Sequence, residues 1–188
     1  MRLFLAVNLP VALRARIHAD IEPMRRACPG VAWVHPEHLH FTLKFLGEVS
    51  NGASTALQKT VGVAVQVRKR FTIILRGMGA FPNFRRPRVV WIGVKDDRSL
   101  TTLARSVEEA CVSLGFQPEV RPFGAHLTVG RVKRELNVLA LQCLERAGFG
   151  MHNEYVLDVQ SVDLMQSELR VGGPSYTMLA SLPFQDIT

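Results

Sequence analysis

Apolar and polar positions change period along the chain, and each period predicts an element. Met1 to Val7, apolar apart from Arg2, reads as a first strand. Pro10 suits the first turn of a helix whose imperfect stripe, Val11, Leu13, Ile17 and Ile21, should stop near Pro23 or at Cys28-Pro29-Gly30. Ala32 to Val34 reads as a short extended piece, His35-Pro36-Glu37 as a turn, and His38 to Phe45 as a strand closed by Gly47. Ser50 to Val67 has a helical pattern, weakened by Gly62 and a Val-rich end. Phe71 to Arg76 and Val89 to Val94 are β-rich runs. The segment Phe81 to Arg88 between them is too long for a tight hairpin. Leu100, Leu103, Ala104, Val107, Ala110, Cys111 and Leu114 recur at three- and four-residue steps, which predicts a helix from an N-cap at Ser99 to a stop at Gly115. Ala125 to Val132 follows as a strand, Val138 to Ala147 as a short helix, Glu154 to Leu164 as a strand and Tyr176 to Phe184 as the last strand.

Repeated strand-helix-strand units of this kind predict an α+β fold. We expect one domain over residues 1–188, built as two similar lobes with an internal pseudo-duplication. Each lobe would be a mostly antiparallel sheet with outer helices, and the active-site cleft would lie between them.

Two of the predicted strands carry the same short text. His40-Phe41-Thr42-Leu43 and His126-Leu127-Thr128-Val129 both spell His-x-Thr-x, 126 − 40 = 86 positions apart. Side chains alternate between the faces of a strand, so His40 shares a face with Thr42, and His126 with Thr128. Two such strands lining one cleft would bring together two proton-transfer groups and two neutral hydroxyl donors for phosphate oxygens. Cleavage of a phosphodiester needs that set.

Charge agrees with an anionic ligand. The formal net charge is +7, and the 23 basic residues are 18 Arg and 5 Lys. Arg offers a planar fork for phosphate, although a codon bias toward Arg would leave the same composition. Three widely spaced cysteines, Cys28, Cys111 and Cys143, read as reduced thiols of a cytoplasmic protein. Asn8, Pro10, Arg14 and Arg16 interrupt the apolar N-terminus too soon for a signal peptide. No stretch approaches the roughly 18 apolar residues of a membrane span.

The residues quoted so far, with their flanks, resemble the RNA 2′,3′-cyclic phosphodiesterases, also called 2′-5′ RNA ligase-like proteins, of the two-histidine phosphoesterase superfamily. The resemblance runs nearly end to end. It covers Met1-Arg2-Leu3-Phe4-Leu5-Ala6, Trp33, His38-Leu39-His40-Phe41-Thr42-Leu43-Lys44-Phe45-Leu46-Gly47 and Arg88-Val89-Val90-Trp91. It continues through Arg121-Pro122-Phe123-Gly124-Ala125-His126-Leu127-Thr128-Val129-Gly130-Arg131 and Tyr176-Thr177-Met178-Leu179. It implies a bilobal α+β fold with His40 and His126 as acid and base. Thr42, Thr128 and Arg131 would hold the phosphate, and Phe45 would pack on a nucleobase. Ala125 departs from the Pro that the family usually carries before the second His. Arg131 is five residues past His126, so strict alternation would turn it to the wrong face; a bulge or the strand's end, eased by Gly130, must re-aim it.

The implied reaction is metal-independent hydrolysis of a terminal 2′,3′-cyclic phosphate to a 2′-phosphate, with RNA ends or cyclic nucleotides as substrate and no cofactor, carried out by a monomer. The alternatives are 2′-5′ ligation of tRNA halves, or an RNA-binding module without catalysis. His35 and His38 could join His40 around a metal, but no acidic or Cys cluster accompanies them. Lys59-Thr60-Val61-Gly62 echoes the lysine motif of nucleotidyl-transferring ligases without its acidic third residue, a coincidence within a helix. Arg85, Arg86 and Arg88 fit either a solvated loop or an RNA-tracking one. The near mirror-image motifs leave acid and base unassigned.

Overall fold

The computed structural model describes residues 1–150, 152–171 and 173–185. Its strands are β1 (Arg2–Asn8), β2 (Val31–Trp33), β3 (His40–Glu48), β4 (Phe71–Phe81), β5 (Val89–Val94), β6 (His126–Val132), β7 (Tyr155–Val159), β8 (Ser161–Arg170) and β9 (Gly173–Pro183). The helices are α1 (Val11–Asp20), α2 (Glu22–Ala27), α3 (Asn51–Gln66), α4 (Arg98–Ser113) and α5 (Val138–Gly150), with a 3₁₀ turn at Pro36–His38. One sheet has the order β3-β1-β8-β9, the other β2-β6-β5-β4-β7, and every pairing among the described residues is antiparallel. Helix α3 lies on β8 and β9 of the first sheet, α5 on β4 and α1 on β7 of the second, and α4 touches β3, β4 and α3. This is the expected two-lobed α+β architecture, with one motif strand in each sheet.

Alternation sorts each strand between two environments. Leu3, Leu5 and Val7 of β1, Phe41 and Leu43 of β3, and Leu127 and Val129 of β6 enter one continuous core with the helices. The intervening positions turn to the opposite faces of the sheets. There Phe4, Ala6 and Met165 form a second small cluster with Tyr176 packed on it. The chain therefore buries its sheets on both sides near β1, and the polar motif positions sit on the side away from the main core.

Several element boundaries differ from the sequence expectation, among them the outer end of β8 at Arg170 and the start of β9 at Gly173, where residues up to Leu164 and from Tyr176 were expected. The first helix breaks at Ile21, which caps α1 and starts α2; Pro23, lacking an N–H, fits the first turn of the second helix. Strand β4 runs on to Phe81, past the expected end at Arg76, through an irregularity at Gly77, whose φ of 72° only glycine adopts without strain. The run Glu154 to Leu164 is two strands, not one: β7 pairs with β4 and β8 with β1, so the chain crosses between sheets at Gln160. The apolar alternation changes phase at the crossing, from Tyr155, Leu157 and Val159 to Val162 and Leu164, with the polar pair Gln160-Ser161 between. Helix α4 starts at Arg98, and the Asp96 carboxylate, not Ser99, accepts from the Arg98 backbone N–H at 3.2 Å. Its end is as expected: Gly115 has φ 87°, and the Phe116 N–H returns to the Cys111 carbonyl at 3.2 Å.

Candidate active site between the two motif strands

Each motif strand carries a bulge just after its threonine. In β3, Ala6 pairs with Thr42 and Leu5 with Lys44, which leaves Leu43 without a counterpart. In β6, Trp91 pairs with Thr128 and Val90 with Gly130, which leaves Val129 without one. The extra residue shifts the alternation by one place. Leu43 and Lys44 are therefore buried in succession, as are Val129 and Gly130, and the next residues, Phe45 and Arg131, return to the face of the histidines as exposed side chains. The re-aiming required of Arg131 is thus a bulge. Glycine is needed at 130 because a Cβ there would lie 2.6 Å from Val31 Cγ1 and 3.2 Å from the Trp33 ring.

The same backbone contact orients both imidazoles. His40 Nδ1 is 2.7 Å from the His38 carbonyl oxygen, and His126 Nδ1 is 2.7 Å from that of Gly124. A carbonyl oxygen only accepts, so each Nδ1 carries the proton and each neutral ring keeps Nε2 as a free lone pair. The hydroxyls of Thr42 and Thr128 have no hydrogen-bond partner among the described residues, and both are partly open to solvent.

The surroundings of the two rings differ. His40 packs against Phe4 at 4.9 Å between centroids and edge-on against Tyr176 at 5.2 Å. Burial drives its pKa down from 6.5 to about 4; the hydrogen bond to the His38 carbonyl opposes that, while positive charge on His38, Arg14 and Arg131 adds to it. Burial also raises the Tyr176 phenol, against the pull of Arg131 and Arg2. Arg131, on β6, thus acts electrostatically on His40 and Tyr176 across from it, and β3 and β6 are in contact, so both motifs line one cleft. His126 is the more open ring, with the Phe81 ring edge-on to it at 5.1 Å.

Aromatic side chains complete both walls. Phe45 is 61% exposed and lies 6.1 Å from Phe4, on the His40 side. Phe81, 44% exposed, bridges Trp91 and His126 on the other. Phe81 and Trp91 were not singled out as site residues from sequence. Two glycines make room for the Trp91 ring: a Cβ at Gly79 would run into it, and one at Gly93 would lie 3.2 Å from it.

A buried ion pair connects the first motif to the approach to the second. Lys44, only 2% exposed, donates to Glu108 Oε2 at 2.7 Å and to the Gln117 carbonyl at 2.9 Å. The other oxygen of Glu108 accepts from the Glu119 backbone N–H at 2.9 Å. Two points of the segment that leads to Gly124 and His126 are thereby tied to β3. Sequence reading missed Lys44 because strict alternation from His40 hides the bulge.

His35 and His38 both lie near Glu37 Oε1, at 3.6 and 3.4 Å, and no group of three or more His, Cys, Asp or Glu among the described residues converges as metal ligands would. Lys59-Thr60-Val61-Gly62 lies within α3, with Val61 in the core. A hollow of about 720 Å³, lined in part by Arg68, Arg98 and Ser99, lies at the Phe71 end of β4. Ten residues of strand, roughly 33 Å at full extension, separate that end from Phe81.

The model of the LigT-like phosphoesterases matches residues 7–91 and again 92–176. The chain belongs to the LigT-like phosphoesterase family. Among relatives of this family, the RNA 2′,3′-cyclic phosphodiesterase of Methanothermobacter thermautotrophicus is 39% identical over 179 residues, 94% of this chain and 95% of that one. The protein of the same name from Archaeoglobus fulgidus is 39% identical over 178 residues, 94% and 96% of the two chains. Of solved LigT-like folds, Escherichia coli LigT complexed with 3′-AMP superposes with a TM-score of 0.78 at 28% identity over 97% of both chains. The Thermus thermophilus protein TT0787 gives 0.79 at 27% identity, again over 97% of both. No helix of the described residues is long and apolar enough to cross a membrane.

Proposed function

We propose that this protein hydrolyses the terminal 2′,3′-cyclic phosphate of RNA, leaving a 2′-phosphate and a free 3′-hydroxyl. The observation that carries this reading is the set on the cleft faces of β3 and β6: two imidazoles anchored through Nδ1, two threonine hydroxyls without partners among the described residues, and Arg131 returned to the same face by a bulge. The names of the relatives point to the same substrate class.

His40 is the base. Its burial keeps the ring neutral at pH 7, so Nε2 can take a proton from the attacking water as oxygen bonds to phosphorus. His126, on the open side, enters this step as the imidazolium, with Nδ1–H held by the Gly124 carbonyl, and gives its Nε2 proton to the departing 3′-oxygen as the phosphorus–oxygen bond breaks, ending as the neutral ring. Thr42, Thr128 and Arg131 stabilise charge gathering on the phosphoryl oxygens, and Phe45 offers its exposed face to the terminal base. The two family matches support an internally duplicated single domain over residues 1–188, each half supplying one motif. We read the working unit as a cytoplasmic monomer. Reduced cysteines fit that compartment: Cys28, Cys111 and Cys143 are free, and burial pushes the first thiol up to about 11 and the second up to about 12.

The test is turnover of an oligonucleotide ending in a 2′,3′-cyclic phosphate by the wild type and by His40→Ala and His126→Ala. Each substitution removes one proton transfer, so each is expected to lower the rate by on the order of 10² to 10⁴ with the circular dichroism unchanged. A folded variant retaining more than about a tenth of the rate overturns the assigned role of that histidine.

A further inference from the structure

We propose that the β4–β5 loop binds the sugar-phosphate chain lying 5′ of the reacting nucleotide, so that the preferred substrate is a single-stranded RNA end and not a cyclic mononucleotide. This rests on the cyclic phosphodiesterase reading above and adds where the remainder of the substrate runs.

The loop is anchored at two points along the β6 side of the site. It leaves β4 at Phe81, whose ring meets His126, and returns at Arg88, whose N–H donates to the Phe81 carbonyl at 2.7 Å. The Arg88 carbonyl in turn accepts from the N–H of Val132 at 2.9 Å, one residue past Arg131. A strand of RNA whose terminal phosphate sits between His126 and Arg131 thus emerges beside this loop.

Its charge is concentrated. Arg85, Arg86 and Arg88 are all exposed, and none has an acidic side-chain partner among the described residues. The same holds for Lys133, just beyond β6. Some arginines elsewhere are matched, Arg25 and Arg26 with Glu22, Arg76 with Glu154 and Arg98 with Asp96, while others such as Arg105 and Arg121 stand singly without an acidic partner among the described residues. What sets the loop apart is density: three unmatched guanidinium groups within four residues, beside Phe81 and the strand end that carries Arg131. Unpaired guanidinium forks suit phosphate oxygens, and phosphodiesters supply them at regular intervals.

The loop's shape does not depend on those side chains. The Asn83 carboxamide oxygen accepts from the backbone N–H groups of Arg85 at 3.0 Å and Arg86 at 3.1 Å, and Phe84 packs against Gly148. The three cations are held out in a preformed arrangement, and their removal leaves the scaffold in place.

The test compares wild type with the triple variant Arg85→Gln, Arg86→Gln, Arg88→Gln, and with a control of equal charge, Lys59→Gln, Lys69→Gln, Arg105→Gln, whose sites are exposed on α3, α4 and the turn after α3. The substrates are an eight-nucleotide RNA ending in a 2′,3′-cyclic phosphate and a 2′,3′-cyclic mononucleotide. The loop variant is expected to lose tenfold or more in kcat/KM on the oligonucleotide, chiefly through KM, and to stay within twofold of wild type on the mononucleotide. Its dependence of log K on log salt should flatten by about 2, at about 0.7 per phosphate contact of a single strand. The control variant should keep both rates. Equal losses on both substrates, or no loss on the oligonucleotide, overturn the proposal. Fluorescence anisotropy with a labelled eight-nucleotide RNA ending in a 3′-phosphate reads the same surface without catalysis. Weaker binding by the loop variant alone supports it even if the wild type turns over neither substrate, a result that would overturn the hydrolase reading separately.

Discussion

The buried histidine gives the sharpest quantitative expectation. His40 titrates at about 4 in the folded protein against 6.5 for an unperturbed ring, a difference of about 2.5 units. At about 1.36 kcal/mol per unit, that is about 3 kcal/mol of differential interaction between neutral and charged forms. Because the folded value is the lower, the unfolded chain binds the proton first as pH falls. The contribution is therefore fully present above pH 6.5, is lost progressively between 6.5 and about 4, and changes no further below that. Replacing His40 by Gln removes the titration. The stability difference between wild type and variant, measured by urea unfolding, should change by about 3 kcal/mol across this window and be flat above it. Nuclear magnetic resonance of the imidazole Hε1 proton should show His40 still neutral at pH 5.5. As His40 is the proposed base of the free enzyme, the acidic limb of kcat/KM should lie below pH 5. A His40 signal titrating near 6.5, with no pH dependence in the stability difference, would show that the aromatic surroundings do not exclude water from this ring, and the assignment of His40 as base would fall with it.

Gly130→Ala forces a methyl group against Val31 and Trp33 beneath the bulge that aims Arg131. It should cost roughly 1–3 kcal/mol in thermal or chemical unfolding, and lower kcat/KM further than the stability loss explains. An alanine variant with wild-type activity would show that the bulge does not position Arg131. Dialysis against EDTA should leave the rate unchanged, since His35 and His38 lie beside Glu37 and no third ligand joins them among the described residues; activity lost to EDTA and restored by Zn²⁺ or Mn²⁺ would place a metal in the mechanism.

Much of the site could be read from sequence because its signal is local. A His two residues before a Thr in an alternating run shares its face, and a second copy fixes where the two faces meet. The need for a bulge before Arg131 followed from the same parity argument. What escaped was non-local. Bulges after Thr42 and Thr128 insert one residue each, so Lys44 changes from an outward position to a buried one and finds Glu108 on a helix 64 residues away. Phe4 and Tyr176 come to His40 from strands distant in sequence, and it is their packing that separates its proton affinity from that of a free imidazole. The helix break at Ile21 was hidden because the apolar stripe Ile17, Ile21, Met24 and Cys28 runs on across it, whereas the switch of sheets at Gln160 is marked only by a one-residue slip in the alternation between Val159 and Val162.

The central claim is that water, activated by one histidine, displaces the 3′-oxygen protonated by the other. Its most direct test is hydrolysis of a cyclic-phosphate-ended oligoribonucleotide in oxygen-18 water, with the product isomer and isotope position read by nuclear magnetic resonance and mass spectrometry. The account expects a single oxygen-18 in a phosphate attached to the 2′-oxygen, with the 3′-hydroxyl unlabelled. A 3′-phosphate product, or product formed without the label, would contradict it.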